Sequence, residues 1–311
     1  MSERALRTAV EAAEQVGLSF ARPVVLADRS NLLVHLEPAP VVARVATTTA
    51  TVRAGDAWLA REIAVAGHLA RVRAPVVAPC RLVAPGPHRH DGLTLSFWEY
   101  AEELDAPLDA GRAGRGLREC HDALADFDGD LPQMALLREA EELVERVSPS
   151  TEDAAFLRRV AAGVRRRIDA LALPARAVHG DAHLGNVINT ARGPLWNGWE
   201  DTFLGPVAWD LGCLHASARA FGRDQAPVAA AQAGCGCRPD QTERNGGIRS
   251  SAYRHTPACL FQQVEHSRRC PGADRHIRKH RVQRMPEPGS MQEVGILRTD
   301  GTVVIEGSGN R

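Results

Sequence analysis

Hydrophobic and polar positions divide the chain into a strand-rich first third and a helix-rich remainder. Over Ser2 to Val16, Leu6, Ala9, Val10, Ala13 and Val16 recur at helical spacing and Gly17 supplies a stop, which predicts an amphipathic opening helix. Pro23 to Ala27, Asn31 to Leu36 and Val41 to Ala46 are apolar runs of strand length. The turn Asp28-Arg29-Ser30 and the segment Glu37-Pro38-Ala39-Pro40 separate them, predicting a three-strand meander. Gly55 to Val72 returns to the helical period, with Trp58, Glu62, Val65 and Leu69 on one stripe. Val76 to Ala84 and Leu93 to Phe97 predict two further strands around the loop Pro85 to Gly92.

After Pro107 the pattern is helical. One helix is marked by Leu117, Cys120, His121 and Leu124, and a second by Met134, Leu137, Leu143 and Val147. A third runs from the S-x-x-D capping signature of Ser150 and Asp153 to about Leu171, before Pro174. Its Arg165-Arg166-Arg167 cluster reads as a solvated helix face, and His121 as a packed helix residue. Strands followed by helices predict an α+β protein of two lobes.

Two residues break the pattern. Arg44 lies inside the strand run VVARVA, and Glu62 lies on the apolar stripe of the following helix. A lone buried charge is costly, and each is the other's available partner. An edge-strand arginine and a helix-surface glutamate, both in water, would satisfy the pattern too.

Composition narrows the function classes. With 311 residues and 44% hydrophobic content the chain can bury two cores. Lys+Arg and Asp+Glu are both 38, so no net field argues for nucleic acid or an anionic membrane as partner. No run of about 18 apolar residues occurs, and the N-terminus lacks the apolar segment of a signal peptide, so a cytoplasmic location is expected. Lys279 is the only lysine, so any phosphate-binding cation in the first lobe must be arginine. Cys80, Cys120 and Cys213 sit in apolar or helical settings and read as small core residues.

From about Gln232 the texture changes. Residues 232 to 311 lose amphipathic period and become rich in Arg, Cys, His, Gln, Gly and Pro. Cys235, Cys237, Cys259 and Cys270 with His255, His266, His276 and His280 could be zinc ligands, but they lack paired finger spacing. A disordered or out-of-frame tail fits the composition better.

The chemistry is concentrated in Ala177 to Asn186, AVHGDAHLGN. A short apolar strand ends at Gly180, which frees the backbone to turn and lets His179, Asp181 and Asn186 leave the strand end together. Phosphoryl transfer needs a carboxylate to orient and accept the proton of the attacking hydroxyl, and oxygen ligands for Mg²⁺ on the nucleotide phosphates. Asp181 and Asn186 suit those roles. A turn with an Asx cap would use the same residue types. So would a metal-dependent hydrolase with His179, Asp181 and His183 as ligands.

The stretch resembles the H-G-D-x-x-x-x-N catalytic loop of the aminoglycoside phosphotransferase and choline kinase-like family. Gly193 to Leu214, GPLWNGWEDTFLGPVAWDLGCL, is similar to that family's metal-site hairpin and following helix. The resemblance covers roughly Pro23 to Phe221 and implies a protein-kinase-like fold. That fold has a small antiparallel-sheet lobe over residues 1–100 and a helical catalytic lobe over 101–231, with 232–311 apart from both. It implies ATP and Mg²⁺ as cofactors and a small-molecule hydroxyl as acceptor, such as an aminoglycoside, an amino alcohol or a sugar.

Under the resemblance Asp181 is the base, Asn186 a Mg²⁺ ligand, and Arg44, positioned by Glu62, holds the α/β-phosphates in place of lysine. Trp98, Glu99 and Tyr100 fall at the hinge whose backbone receives adenine, although the two aromatics would serve equally as core residues. The Asp28 to Asn31 turn occupies the phosphate-loop position without its glycines. Asp210 matches an aspartate that supports the catalytic loop. One position departs from the pattern: Gly198 stands where the second metal-binding acid is expected, with Glu200 as the nearest substitute and Asp201 expected to point away. The departure admits a degenerate protein that holds nucleotide without transferring phosphate.

Overall fold

The computed structural model describes residues 2–49, 53, 55–147, 151–220, 222–236, 295–297 and 303–305. Helix α1 (Ser2–Gln15) precedes a sheet of β1 (Arg22–Asp28), β2 (Asn31–Glu37), β3 (Val41–Ala46), β4 (His88–His90) and β5 (Leu93–Glu99). The strands are ordered β1-β2-β3-β5-β4 and every pairing is antiparallel. Helix α2 (Ala57–Arg71) lies between β3 and β4 in the chain.

The period of two along β3 organises this lobe. Val41, Ala43 and Val45 join the core beneath α1, where Ala5, Ala9, Ala12 and Ala13 pack on Val34, Leu36 and Phe97. The alternate residues face the other way: Val42 packs on the second lobe's core, and Ala46 on Trp58 and Leu59 of α2. Arg44 shares their side.

The second lobe comprises α3 (Ala110–Ala123), α4 (Ala135–Val147), α5 (Thr151–Ala170), α6 (Ala208–Ala220) and α7 (Ala226–Gly234). Two small sheets lie among them. β6 (Arg176–Val178) pairs with β9 (Phe203–Gly205), and β7 (Val187–Thr190) forms a hairpin with β8 (Gly193–Trp196). Asp109 caps α3 by accepting the Arg112 N–H at 2.8 Å. The expected cap residue Ser150 lies outside the described residues.

The expected strand at Val76 to Ala84 is not formed. Pro75 and Pro79 cannot donate ladder hydrogen bonds, and the segment makes only isolated bridges, Val76 to Trp196 and Pro79 to Trp98. It joins the lobes, with Val77 N–H donating to the Trp196 carbonyl at 2.9 Å and Trp196 N–H to that of Pro75 at 2.8 Å. The fifth strand, β4, comes from the expected loop. The hairpin also differs: β8 ends at Trp196, and Trp199–Asp201 is a 3₁₀ turn, because Gly198 adopts left-handed φ 78 and ψ 47.

The change of texture at 232 falls inside α7, where Gln232 Oε1 lies 2.7 Å from His215 Nε2 and Cys235 is buried. Further on, β10 (Gly295–Leu297) pairs antiparallel with β11 (Val303–Ile305). The other tail cysteines and its histidines lie outside the described residues. Cys80, Cys120 and Cys213 are free, buried thiols, as expected of core residues.

Helix α7 packs on α3 at backbone distance. A Cβ on Gly114 would lie 1.8 Å from the Ala231 carbonyl oxygen. Gly114→Ala is therefore expected to destabilise the protein by at least about 2 kcal/mol in urea unfolding, since backbone rather than a flexible side chain must yield. An unchanged midpoint would show that the α3–α7 contact is not maintained in solution.

Candidate active site

Arg44 is buried with carboxylates on two sides. Its Nη1 donates to Glu62 Oε2 on α2, and its Nη2 to Glu200 Oε1 in the Trp199–Asp201 turn. The expected Arg44–Glu62 contact is thus present, and Glu200 joins it from the other lobe. With its amide oriented to accept, Asn31 at the β1–β2 turn takes Arg44 Nη2–H at 2.8 Å. Burial opposes the Arg44 charge, but Glu200 and Glu62 outweigh it and push its pKa up. Burial holds Glu62 well above the usual carboxylate range against the pull of Arg44. At Glu200 burial also acts upward, but Arg44 prevails and the carboxyl is left below its ordinary value.

The catalytic-loop candidates follow β6. Gly180 has φ 91, and a Cβ there would lie 2.1 Å from the Asp201 carbonyl oxygen, so only glycine lets loop and turn approach. Asp181 Oδ2 lies 3.3 Å from His183 Nε2 and accepts from Asn186 Nδ2 at 3.3 Å. Burial would raise the Asp181 pKa, but the His183 hydrogen bond and charge lower it, keeping it a carboxylate. His183 is raised in return, its burial outweighed by Asp181.

Asn186 Nδ2 also donates to the Asp181 carbonyl at 2.9 Å. This fixes its Oδ1 toward Gly198, whose ideal Cβ position is 3.5 Å from Asn186 Oδ1 and 3.5 Å from Glu200 Oε2. Glu200 Oε2 is buried and has no partner. Asn186, Glu200 and the open space at Gly198 therefore converge. An all-oxygen donor set with one orphaned carboxylate oxygen fits a hard divalent cation such as Mg²⁺. Glu200 reaches this space from a 3₁₀ turn, not by strand alternation. Asp201 is turned to Arg53, whose Nη2 donates to its Oδ1 at 2.5 Å; burial, opposed by Arg53, raises its pKa to about 7.

The hydrolase reading is excluded by His179. Its Nε2–H donates to the Asn197 carbonyl at 2.9 Å and its Nδ1 accepts the Asp181 N–H at 3.3 Å. Burial keeps it neutral, and neither ring nitrogen is left for a metal.

The hinge residues are engaged otherwise than expected. Trp98 lies inside β5, buried, with its indole N–H on Ser96 Oγ at 2.8 Å. Glu99 N–H donates to the Ala78 carbonyl and Tyr100 N–H to that of Pro40, both at 2.9 Å. The Tyr100 ring stacks on His35 at 3.8 Å, and Glu99 pairs with Arg81 at 3.2 Å. Both backbone donors are spent, and the next N–H along the chain is Ala101's.

The model of the phosphotransferase enzyme family matches residues 24–245. The chain belongs to this family. Its fold resembles a choline/ethanolamine kinase family protein from Mesorhizobium loti, with TM-score 0.59 and 17% identity over 87% of this chain and 88% of that one. An amicoumacin kinase in complex with AMP-PNP, Ca²⁺ and its ligand superposes with TM-score 0.65 at 13% identity, over 89% and 92% of the two chains. The aminoglycoside phosphotransferase from Streptomyces rimosus, in complex with ADP and streptomycin, gives 0.58 at 16% identity over 84% and 98%. Comparison by sequence with curated proteins gives no match. Among the described residues, no helix is long and apolar enough to cross a membrane.

Asp210 supports the loop as the resemblance implies, and His121 and Trp209, which the local sequence pattern does not announce, join it. Asp210 on α6 is fully buried and accepts from His179 N–H at 2.7 Å and Gly180 N–H at 2.9 Å. Its Oδ2 also lies 2.7 Å from His121 Nε2 on α3. His121 is therefore a loop-supporting group and not simple packing; its signal was a polar residue on the buried face of α3. Trp209 adds an indole N–H to the Gly180 carbonyl at 2.8 Å. Asp210→Ala strands two buried N–H groups and an imidazole at once, and a loss of about 3–5 kcal/mol in denaturant unfolding is expected. A loss under about 1 kcal/mol would mean that water replaces the carboxylate.

Proposed function

We propose that the chain transfers the terminal phosphoryl group of ATP to a hydroxyl of a small molecule, and that it does so weakly because of Gly198. The observation that carries this reading is Asp181: a carboxylate kept ionised by His183 and bonded by Asn186, whose Oδ1 lies toward Gly198 and the Glu200 that Arg44 holds. Asp181 orients the acceptor hydroxyl and takes its proton as oxygen attacks phosphorus. Arg44 neutralises phosphate charge and is itself held by Glu62. Asn186 Oδ1 and Glu200 Oε2 would hold Mg²⁺, which supplies charge neutralisation to the phosphates when bound.

The adenine ring would read the Ala101 N–H, one residue beyond the expected hinge. It would lie between Val42, which shares the Arg44 side of β3, and Ile188, two residues after Asn186; both are half-buried. The similar proteins, a choline/ethanolamine kinase family member, an amicoumacin kinase and an aminoglycoside phosphotransferase bound to streptomycin, support an acceptor of the amino alcohol, amino sugar or related class. Balanced composition supports a soluble cytoplasmic setting with no nucleic-acid or membrane partner.

Gly198 favours a second reading, in which nucleotide binds and is not turned over. Calorimetry with ATP, with and without Mg²⁺, followed by turnover across amino alcohols and aminoglycosides, separates the two. Asp181→Asn should retain nucleotide affinity within about threefold and abolish transfer, since the carboxylate acts on the acceptor and not on ATP. Parallel loss of binding and turnover would count against that role.

Gly198→Asp restores a carboxylate toward Asn186 and Glu200. The left-handed backbone costs it about 1 kcal/mol, which aspartate tolerates better than most residues. Turnover is expected to rise at least about tenfold, equivalent to about 1.4 kcal/mol of transition-state stabilisation. If turnover is unchanged by Gly198→Asp but lost in Glu200→Gln, Glu200 alone supplies the acid and the chain is not impaired at this position.

A further inference from the structure

The segment between β3 and α2 contributes a residue to the site that neither the sequence pattern nor the proposed chemistry uses. Arg53 is buried among acids of the other lobe. Its Nε and Nη2 donate to Glu139 Oε1 and Oε2 on α4, both at 2.7 Å, and Nη2 also donates to Asp201 Oδ1 at 2.5 Å. Its side chain is 11% exposed, against 17% for Asp201 and 23% for Glu139.

Asp201 is the last residue of the turn that carries Glu200, and its carbonyl oxygen abuts Gly180 of the catalytic loop. The arginine therefore grips the metal-facing turn one residue from its ligand. Two further arginines act on the same turn: Arg44 bonds the Glu200 side chain, and Arg61 Nη2 donates to the Glu200 carbonyl at 2.8 Å. Arg53 alone among these three reaches beyond the turn to a helix of the second lobe. A bidentate fork on Glu139 fixes the plane of its guanidinium, so the remaining N–H direction fixes Asp201.

We infer that Arg53 is a positioning residue for phosphoryl transfer: it ties the β3–α2 segment to Glu139 and Asp201, and so holds Glu200 toward Asn186 and the space at Gly198. The requirement is for arginine, because the ammonium of lysine cannot present a planar fork to one carboxylate and a separate donor to another. With Gly198 providing no acid, the aim of Glu200 matters more here than it would beside a second carboxylate. Removing Arg53 leaves Asp201, partly buried near Glu200 and Asp181, without the guanidinium that bonds it, and the turn relaxes away from the cleft.

The inference rests on the phosphotransferase reading for its kinetic consequence only, so the test has two arms on the full chain. In nucleotide-free protein, Arg53→Met should speed amide hydrogen exchange across residues 199–205 at least about tenfold and leave the amides of β1, β2 and β3 unchanged. Arg53→Lys should fall between that variant and the parent. In turnover assays, Arg53→Met should raise the Mg²⁺ concentration for half-maximal rate at least about tenfold, with the acceptor KM within about threefold and partial rescue by lysine. Should Arg53→Met fail to fold, Glu139→Gln, which removes the fork but keeps both Arg53 and Asp201, carries the same two expectations in smaller degree. Unchanged exchange over 199–205 overturns the inference whatever the kinetics. So does faster exchange accompanied by an unaltered Mg²⁺ requirement. Failure of the parent chain to bind ATP would instead refute the functional reading, and the exchange arm would still decide the role of Arg53.

Discussion

A guanidinium cannot be placed on the inner side of a sheet without carboxylates to neutralise it, and the way Arg44 is neutralised determines how the lobes are joined. Glu62 comes from α2 and lies on the same lobe; Glu200 comes from the turn after β8, on the other. Because the two acids approach from different lobes, Arg44 is satisfied fully only when the lobes are closed on each other. The sheet, α2 and the metal-facing turn are thereby set relative to one another by a single buried charge. Removing Arg44 leaves two buried carboxyl groups without the cation between them, a change expected to cost about 3–5 kcal/mol.

How much of this was legible depended on whether the signal was local. The alternation VVARVA marked β3 correctly, and it also marked Arg44 as an anomaly that needed a partner. Glu62 could be found because it broke an apolar stripe 18 residues downstream, within the reach of helix-period reasoning. The loop His179 to Asn186 was legible because its chemistry is confined to eight consecutive positions. The Trp199–Asp201 turn was not legible, since one left-handed glycine changes the direction of the chain without altering the apolar pattern around it. Val76 to Ala84 was misread for the complementary reason: its apolar residues are buried between lobes, where prolines permit bridges but not a ladder.

Arg53, Arg61, Glu139 and His121 were illegible as site residues because each acts across the fold. Their partners lie 148, 139, 86 and 89 positions away. In sequence each is a charged or polar residue in a helix or in the loop before one, indistinguishable from the many arginines and glutamates that face solvent. The hinge shows the same limit in the backbone. Trp98, Glu99 and Tyr100 stand at the expected place, but which N–H remains free is decided by Pro40 and Ala78, and nothing in the side chains records it.

The support of the catalytic loop is independent of the position where the chain departs from its family. Asp210 binds His179 N–H, Gly180 N–H and His121; Trp209 binds the Gly180 carbonyl; and Asn197 Nδ2 donates to the Asn186 carbonyl at 3.0 Å. None of these bonds involves a side chain at position 198. A glycine there accordingly removes no structure; under the proposed function it removes an oxygen ligand, and it is spared the strain that an aspartate would bear in the left-handed backbone. Selection for a folded protein cannot detect such a loss, whereas selection for metal-dependent transfer would detect it at once. At Glu200 a buried carboxylate oxygen without a partner is maintained against its desolvation cost by Arg44 on the opposite oxygen, and it faces the space that a divalent cation would share with Asn186. Under the proposed function, fold stability and catalytic competence thus rest on different residues of one turn: Trp199 and Thr202 in its packing and hydrogen bonding, Glu200 and position 198 in its chemistry.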